Sequence, residues 1–210
     1  MLRFLYMDTL ITIFSLLILL FSVIIHEIAH GSVAYALGDP TAKMAGRLTL
    51  NPISHLDPIG SILLPILLMM SGMPIIGWAK PVPVNPMLLQ DRRWGDLKVS
   101  IAGVAANFFI ALIFGLIIKF GMPYLPQGFL IIASFVVFYN IALGLFNLIP
   151  IPPLDGSHVL FSLFPNLEGI KEFLYRYGFI LLMVIVFLIP GGLNWIFDTA
   201  SYFLNWFSKV

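Results

Sequence analysis

Between Thr9 and Leu37 the chain carries one long apolar run, and within five positions of that run stand three ionisable residues, His26, Glu27 and His30. A helix over this run is long enough to cross the ~30 Å hydrocarbon core of a membrane. An unpartnered ionisable group near the centre of such a helix costs roughly 3 kcal/mol by insertion scales. The fold must therefore bring other groups, or an ion, to these three side chains. Gly38-Asp39-Pro40 closes the run with residues that stop helices.

Composition places the whole chain in lipid. Hydrophobic residues make up 60% of the 210 and charged residues only 10%, against about 25% charged in a soluble domain. Mean hydropathy is +1.02. A net charge of +1 offers no basic surface for nucleic acid. The absence of cysteine excludes disulfides and thiolate metal sites, so any metal must be held by histidine, carboxylate or neutral oxygen. Arg3 before an apolar stretch has the look of a signal peptide. Leu10 to Ile25 is too long for one, however, and runs into His26 without a small-residue cleavage site, so it reads as a retained helix.

The length predicts a single membrane-embedded domain over residues 1–210 with no sizeable soluble module. Its catalytic core would cover about 9–160 and a C-terminal membrane hairpin about 175–207. The predicted fold is an all-α polytopic membrane protein of five to six hydrophobic segments. Besides the first run these are Ile59–Ile76, Val99–Ile118, Phe129–Leu148, and Phe179–Phe207 split by Pro190-Gly191-Gly192. The stretches Arg47–Leu50 and Trp78–Pro86 alternate in polarity or are rich in proline, which predicts a small β-hairpin-like element between the first and third helices. Such an edge would be suited to holding an extended substrate by strand addition.

His26-Glu27-Ile28-Ala29-His30 is an HExxH motif. Residues four apart share a helix face, so both imidazoles can grip one ion while the glutamate reaches its bound water. In a soluble helix this pentapeptide often lies on a solvated face, but lipid removes that reading. A hydrolytic zinc site needs a third protein ligand and an open position. Asp155 is the best candidate, because it follows the fourth hydrophobic segment in the proline-broken stretch Pro150–Asp155, the kind of backbone found at membrane depth only beside protein or a watery cavity. His55 and Asp57 read as solvated or capping loop residues. His158 reads as a group behind Asp155 or, more simply, as an interfacial histidine.

HEIAH in a first membrane helix, with Asn147-Leu148-Ile149-Pro150-Ile151-Pro152-Pro153-Leu154-Asp155-Gly156 far downstream, resembles the site-2 protease family of intramembrane zinc metalloproteases. The intervening Arg47–Pro52 and Gly77–Pro83 resemble its small, minimal members without a PDZ or regulatory domain. The resemblance covers about Val23 to Val159. It implies one Zn2+ held by His26, His30 and Asp155, with Glu27 as the catalytic carboxylate. Asn147 would contact the substrate backbone or its oxyanion; Asn107 and Asn140 are weaker candidates for that contact, since amides in membrane helices commonly hydrogen-bond from helix to helix instead. The family's GPxxN in the third helix is here Gly103-Val104-Ala105-Ala106-Asn107, without the proline.

The implied reaction is hydrolysis of peptide bonds within or near transmembrane segments. The partners are a substrate's transmembrane helix and the lipid bilayer, with no nucleic acid. A metal transporter or sensor using the same ligands is the alternative, but it would be expected to show internal repeats and a chain of polar residues crossing several helices. A protease with its site outside lipid would carry HExxH in a polar helix.

The two motifs can share an ion only if the first and fourth hydrophobic segments run in the same direction. One intervening segment must then fail to cross, and Ile59–Ile76, interrupted by Pro65, Gly72 and Pro74, is predicted to be re-entrant or shallow. That topology gathers Lys43, Arg47, Lys80, Arg92, Arg93, Lys98, Lys171 and Arg176 on the active-site face, which the positive-inside tendency makes cytoplasmic.

Overall fold

The computed structural model describes residues 2–71 and 78–209, with side chains described from residue 10 onward except at 62, 65 and 69. Helix α1 (Leu2–Ala36) is followed by a single turn, α2 (Thr41–Met44), and by α3 (Leu64–Met70). Then come α4 (Gly95–Gly121), α5 (Gln127–Asn147), α6 (Asp155–Leu163), α7 (Glu168–Phe187) and α8 (Asn194–Ser208). Three helices are long and apolar enough to cross a membrane: Leu10–Ala36, α4 and α5. At 1.5 Å per residue the first, of 27 residues, extends about 40 Å.

These three helices pack against one another, and α8 lies across α4 and α5. Small residues make the close approach possible. Ala111, Ala133 and Ala200 are buried beside Ile118, Val137, Ile141 and Phe207, one residue set joining three helices. A Cβ at Gly115 would lie about 2.5 Å from the Phe207 ring, so that ring fits only over a glycine. Large apolar side chains such as Phe14, Leu16, Phe109 and Phe120 stay on the outside, as lipid-facing surfaces require.

Cross-helix contacts fix the directions. His30 meets Val99 and His26 meets Asn107, so α1 and α4 are antiparallel. Asn107 in turn meets Asn140, and a short turn joins α4 to α5, which makes that pair antiparallel as well. Helices α1 and α5 therefore run the same way, as a shared metal site requires. Between α1 and α4 the segment starting at Pro58 forms six residues of π-helix and then the seven of α3. Together they reach about 20 Å, short of a ~30 Å core. The rest of the expected re-entrant segment, 72–77, lies outside the described residues.

The β-hairpin-like element is not formed: no strand exists among the described residues. Residues 47–50 and 78–85 do lie near each other, joined by Arg47 Nη2 to Lys80 O at 2.5 Å and Pro81 O at 3.2 Å, while Lys80 N–H goes to His55 O at 2.9 Å. Pro81 and Pro83 have no N–H to give a ladder. The Lys80 and Val82 donors between them are spent on a turn carbonyl and on the Glu27 carboxylate. Strand addition to this segment therefore loses its basis on the edge the prolines occupy.

Buried Asp39 anchors the far end of the same segment, accepting from Asn85 N–H at 2.6 Å and from Thr41 N–H at 2.9 Å, with the Thr41 hydroxyl on the same oxygen as the latter.

Candidate metal centre

One helical turn separates His26 from His30 on α1, so both rings leave the same face, with centroids 4.5 Å apart. They are only 5% and 8% exposed. Their positions lie ten and six residues from the end of α1, about 15 and 9 Å along its axis, which sets the rings inside the spanning segment. Asp155 arrives from the opposite half of the chain. It opens α6 directly after the cis Pro152–Pro153 turn, and its Oδ2 lies 3.1 Å from His26 Nε2 and 3.2 Å from His30 Nε2. The two Nε2 atoms are 2.9 Å apart.

Glycines make this convergence possible at two points. A Cβ at Gly103 of α4 would overlap His30 Nε2 and come within 2.6 Å of His26 Cε1. A Cβ at Gly156 would overlap the Leu148 carbonyl, so only glycine lets α6 begin where it presents Asp155 to the imidazoles. Gly178 does the same for α7 against the proline turn, where a Cβ would stand 2.7 Å from Pro152 O.

The chemistry of the donor set identifies what belongs between these atoms. His30 Nδ1 is 2.7 Å from Val99 O, and a carbonyl only accepts, so in the neutral ring Nδ1 carries the proton and Nε2 is a bare lone pair. His26 Nδ1 faces Asn107 Oδ1 at 2.6 Å, which turns its Nε2 the same way. Asp155 Oδ2 is buried without a hydrogen-bond partner. Three lone-pair atoms facing one another with no proton among them repel unless a cation lies between them. Among the described residues this is the one cluster of histidine and carboxylate groups close enough to hold a metal ion.

Glu27 is half-buried beside the cluster, and its Oε2 accepts the backbone N–H of Val82 at 2.7 Å. A glycine again allows the approach: a Cβ at Gly31 would stand 2.8 Å from Val82 Cγ1 and 2.7 Å from Leu48 Cδ2.

The other residues singled out in the sequence divide clearly. Asn147 ends α5 half-buried, donating to Leu143 O at 3.1 Å. Asn107 is fully buried, with its amide engaged by His26, Asn140 and Ser22. His55 is buried elsewhere and donates through Nε2 to Thr49 O at 2.8 Å. Asp57 caps the π-helix, accepting from Ile59 N–H at 3.0 Å and Gly60 N–H at 2.6 Å. His158 pairs with Asp96 on α4 at 3.1 Å.

The Val99 carbonyl, the Val82 N–H and Ser22 escaped the sequence reading, as did the part played by Gly103, which that reading named only as a motif residue. For two of them a signal exists, since Ser22 and His26 are four apart on α1 and Gly103 and Asn107 four apart on α4.

Residues 117–185 match the sequence model of Peptidase family M50. The chain is 40% identical over 200 residues to YwhC of Bacillus subtilis (strain 168), a protein named as a zinc metalloprotease, covering 90% of this chain and 87% of that one. The chain belongs to the M50, or site-2, zinc metalloprotease family. Rip2 of Mycolicibacterium smegmatis, named in the same way, is 33% identical over 195 residues, 91% of this chain and 72% of its own. Protease RseP of Yersinia pestis shares 33% identity over 98 residues, 44% of this M50 chain and 20% of RseP. No solved structure matches it significantly. Membership, the His/His/Asp cluster and the three apolar helices make this M50 protein a multi-pass intramembrane zinc metalloprotease.

Proposed function

We propose that this M50 protease holds a single Zn2+ through His26 Nε2, His30 Nε2 and Asp155 Oδ2, and that Glu27 is its catalytic carboxylate. The supporting observation is the meeting of three bare donor atoms within 3.2 Å at membrane depth. Two imidazoles and one carboxylate form a borderline-soft set that suits zinc better than the all-oxygen shells of calcium or magnesium. When bound, zinc supplies a Lewis acid for the peptide carbonyl and makes water acidic enough to attack near neutral pH.

The chain's own residues do the rest. Val82 N–H holds one oxygen of Glu27, leaving the other to take a proton from the attacking water. The same carboxylate then gives that proton to the departing amine as the C–N bond breaks. Asn147, at the end of α5 just before the proline turn, has a side-chain oxygen and one N–H beyond those it gives Leu143. It is suited to hold the substrate backbone or the developing oxyanion. The substrate is a transmembrane segment of another protein, which must unwind locally because helical peptide bonds are shielded by their own hydrogen bonds. Clustering of Lys43, Arg47, Lys80, Arg92, Arg93 and Lys98 in the segments flanking this end of α1 and α4 supports an active site facing the cytoplasm.

The test is Glu27→Gln in the purified full chain, in proteoliposomes with a membrane-protein substrate. One zinc per chain should remain while cleavage falls by at least about a hundredfold. Loss of zinc together with activity, or undiminished cleavage, contradicts the assignment.

A further inference from the structure

The imidazole of His30 is oriented by a main-chain carbonyl, which cannot turn round. His26 is oriented by a primary amide, which can. Were the Asn107 amide reversed, its NH2 would face His26 Nδ1, the imidazole proton would move to Nε2, and the lone pair directed at the metal would be lost. Something must therefore fix the sense of that amide, and the structure contains a chain of bonds that does so.

The chain starts at two helix carbonyls. Ser22 Oγ donates to Ile18 O at 2.8 Å, which leaves the hydroxyl oxygen as an acceptor. Asn140 Nδ2 donates to that oxygen at 2.8 Å and to Val136 O at 2.9 Å, so both of its protons are used and its Oδ1 must accept. Asn107 Nδ2 donates to Asn140 Oδ1 at 2.8 Å and reaches Ser22 O at 3.4 Å. Only Asn107 Oδ1 is left to face His26 Nδ1, 2.6 Å away. Reversing either amide sets oxygen against a carbonyl or leaves a buried N–H unpaired, which is costly at positions this deeply buried. Both asparagines are 0% exposed and Ser22 is 4% exposed.

We propose that Ser22, Asn140 and Asn107 form a one-way hydrogen-bond relay that sets the Nδ1–H tautomer of His26 and so aims its Nε2 at the metal. The relay rests on the metal-centre reading and extends it by giving three polar residues, one on each spanning helix, a positioning role without substrate contact. Groups behind a metal-bound histidine typically change metal affinity 10–100-fold when removed.

The experiment uses the full chain in detergent or nanodiscs, with zinc affinity from chelator competition and the His26 tautomer from 15N NMR of the metal-free protein. Asn107→Leu should weaken zinc 10–100-fold and move the His26 proton toward Nε2. Asn140→Leu and Ser22→Ala, which leave Asn107 in place, should each weaken zinc about tenfold. Asn107→Asp keeps an acceptor toward His26 whichever way it turns, so the His26 proton should stay on Nδ1, although stability should fall because its second oxygen meets Asn140 Oδ1. Val137→Ala, a buried change on α5 outside the relay, should lower thermal stability and leave the affinity alone. If Asn107→Leu does not fold, Asn140→Leu and Ser22→Ala carry the test. Native affinity and an unchanged tautomer in these variants overturn the relay. Failure of the native chain to bind any divalent metal overturns the metal-centre reading instead, and the tautomer measurement still judges the relay.

Discussion

Val82 N–H donates to Glu27 Oε2 across 2.7 Å, linking an extended, proline-flanked segment to the HExxH helix over 55 residues of sequence. The bond holds one carboxylate oxygen still and leaves its twin free, which is the arrangement a proton carrier needs. A hydrogen bond to an ionised group is worth about 1.5–3 kcal/mol, so its loss should be visible in rate.

Val82→Pro removes that N–H from a stretch already extended between Pro81 and Pro83. The turnover rate should fall about tenfold, the equivalent of ~1.4 kcal/mol, with zinc content unchanged. Val82→Ala keeps the N–H and should cleave nearly normally. Equal rates for the two variants would show that the bond does not orient Glu27.

Gly103→Ala places a methyl group where the imidazole rings lie. Alanine suits a helix better than glycine by ~1 kcal/mol, so α4 itself should persist. Metal content should nonetheless drop below about a tenth of native, measured by elemental analysis of the purified protein. Gly128→Ala, with nothing within 4 Å of the added carbon, is the matched control and should bind metal normally.

The hydrogen bond that His158 donates to Asp96 raises the pKa of His158 above its ordinary value, with burial opposing and the charge of Asp96 adding to the rise. A raised folded pKa means the pair's contribution is complete below the unfolded value of ~6.5 and fades as pH climbs through the folded value. Both side chains are about 40% exposed, so the gain stays under ~1 kcal/mol. Between pH 6 and pH 9 the native chain should lose about 2 °C of melting temperature that His158→Gln does not lose. Parallel curves for the two would remove the pair from the account.

Asp39→Ala removes a fully buried carboxylate and leaves the part-buried Asn85 and Thr41 N–H donors without their acceptor. Stability should fall by about 2–4 kcal/mol, read from denaturation in detergent, and the 78–85 segment should become the first site of proteolysis. Asp39→Asn, which keeps one acceptor, should lose roughly half as much.

Much of this architecture is legible in the sequence because its signals are local. Twenty or more apolar residues define a spanning helix wherever they occur, and His26, Glu27 and His30 share a face by helix geometry alone. The parallel course of α1 and α5 follows from two motifs needing one ion. What failed was pairing that depends on partners. Arg47–Leu50 and Trp78–Pro86 have strand-like patterning, yet their donors and acceptors are taken by Glu27, His55 and the Arg47 guanidinium. Asn107 and Asn147 look alike in sequence, both being amides in apolar helices. Only the packing of α4 between α1 and α5 shows that one is sealed behind a histidine and the other lies half-open at a helix end. Gly103 carries no chemistry of its own, so its role is visible only once two rings occupy the space beside it.

Because Asp155 opens a short helix after the last of the three long apolar segments, the candidate metal cluster draws its donors from opposite halves of the chain. Helix α1 supplies the two imidazoles, and Asp155 joins them only from beyond α5. All three donors can meet only in a chain that has passed the proline turn and folded back on α1.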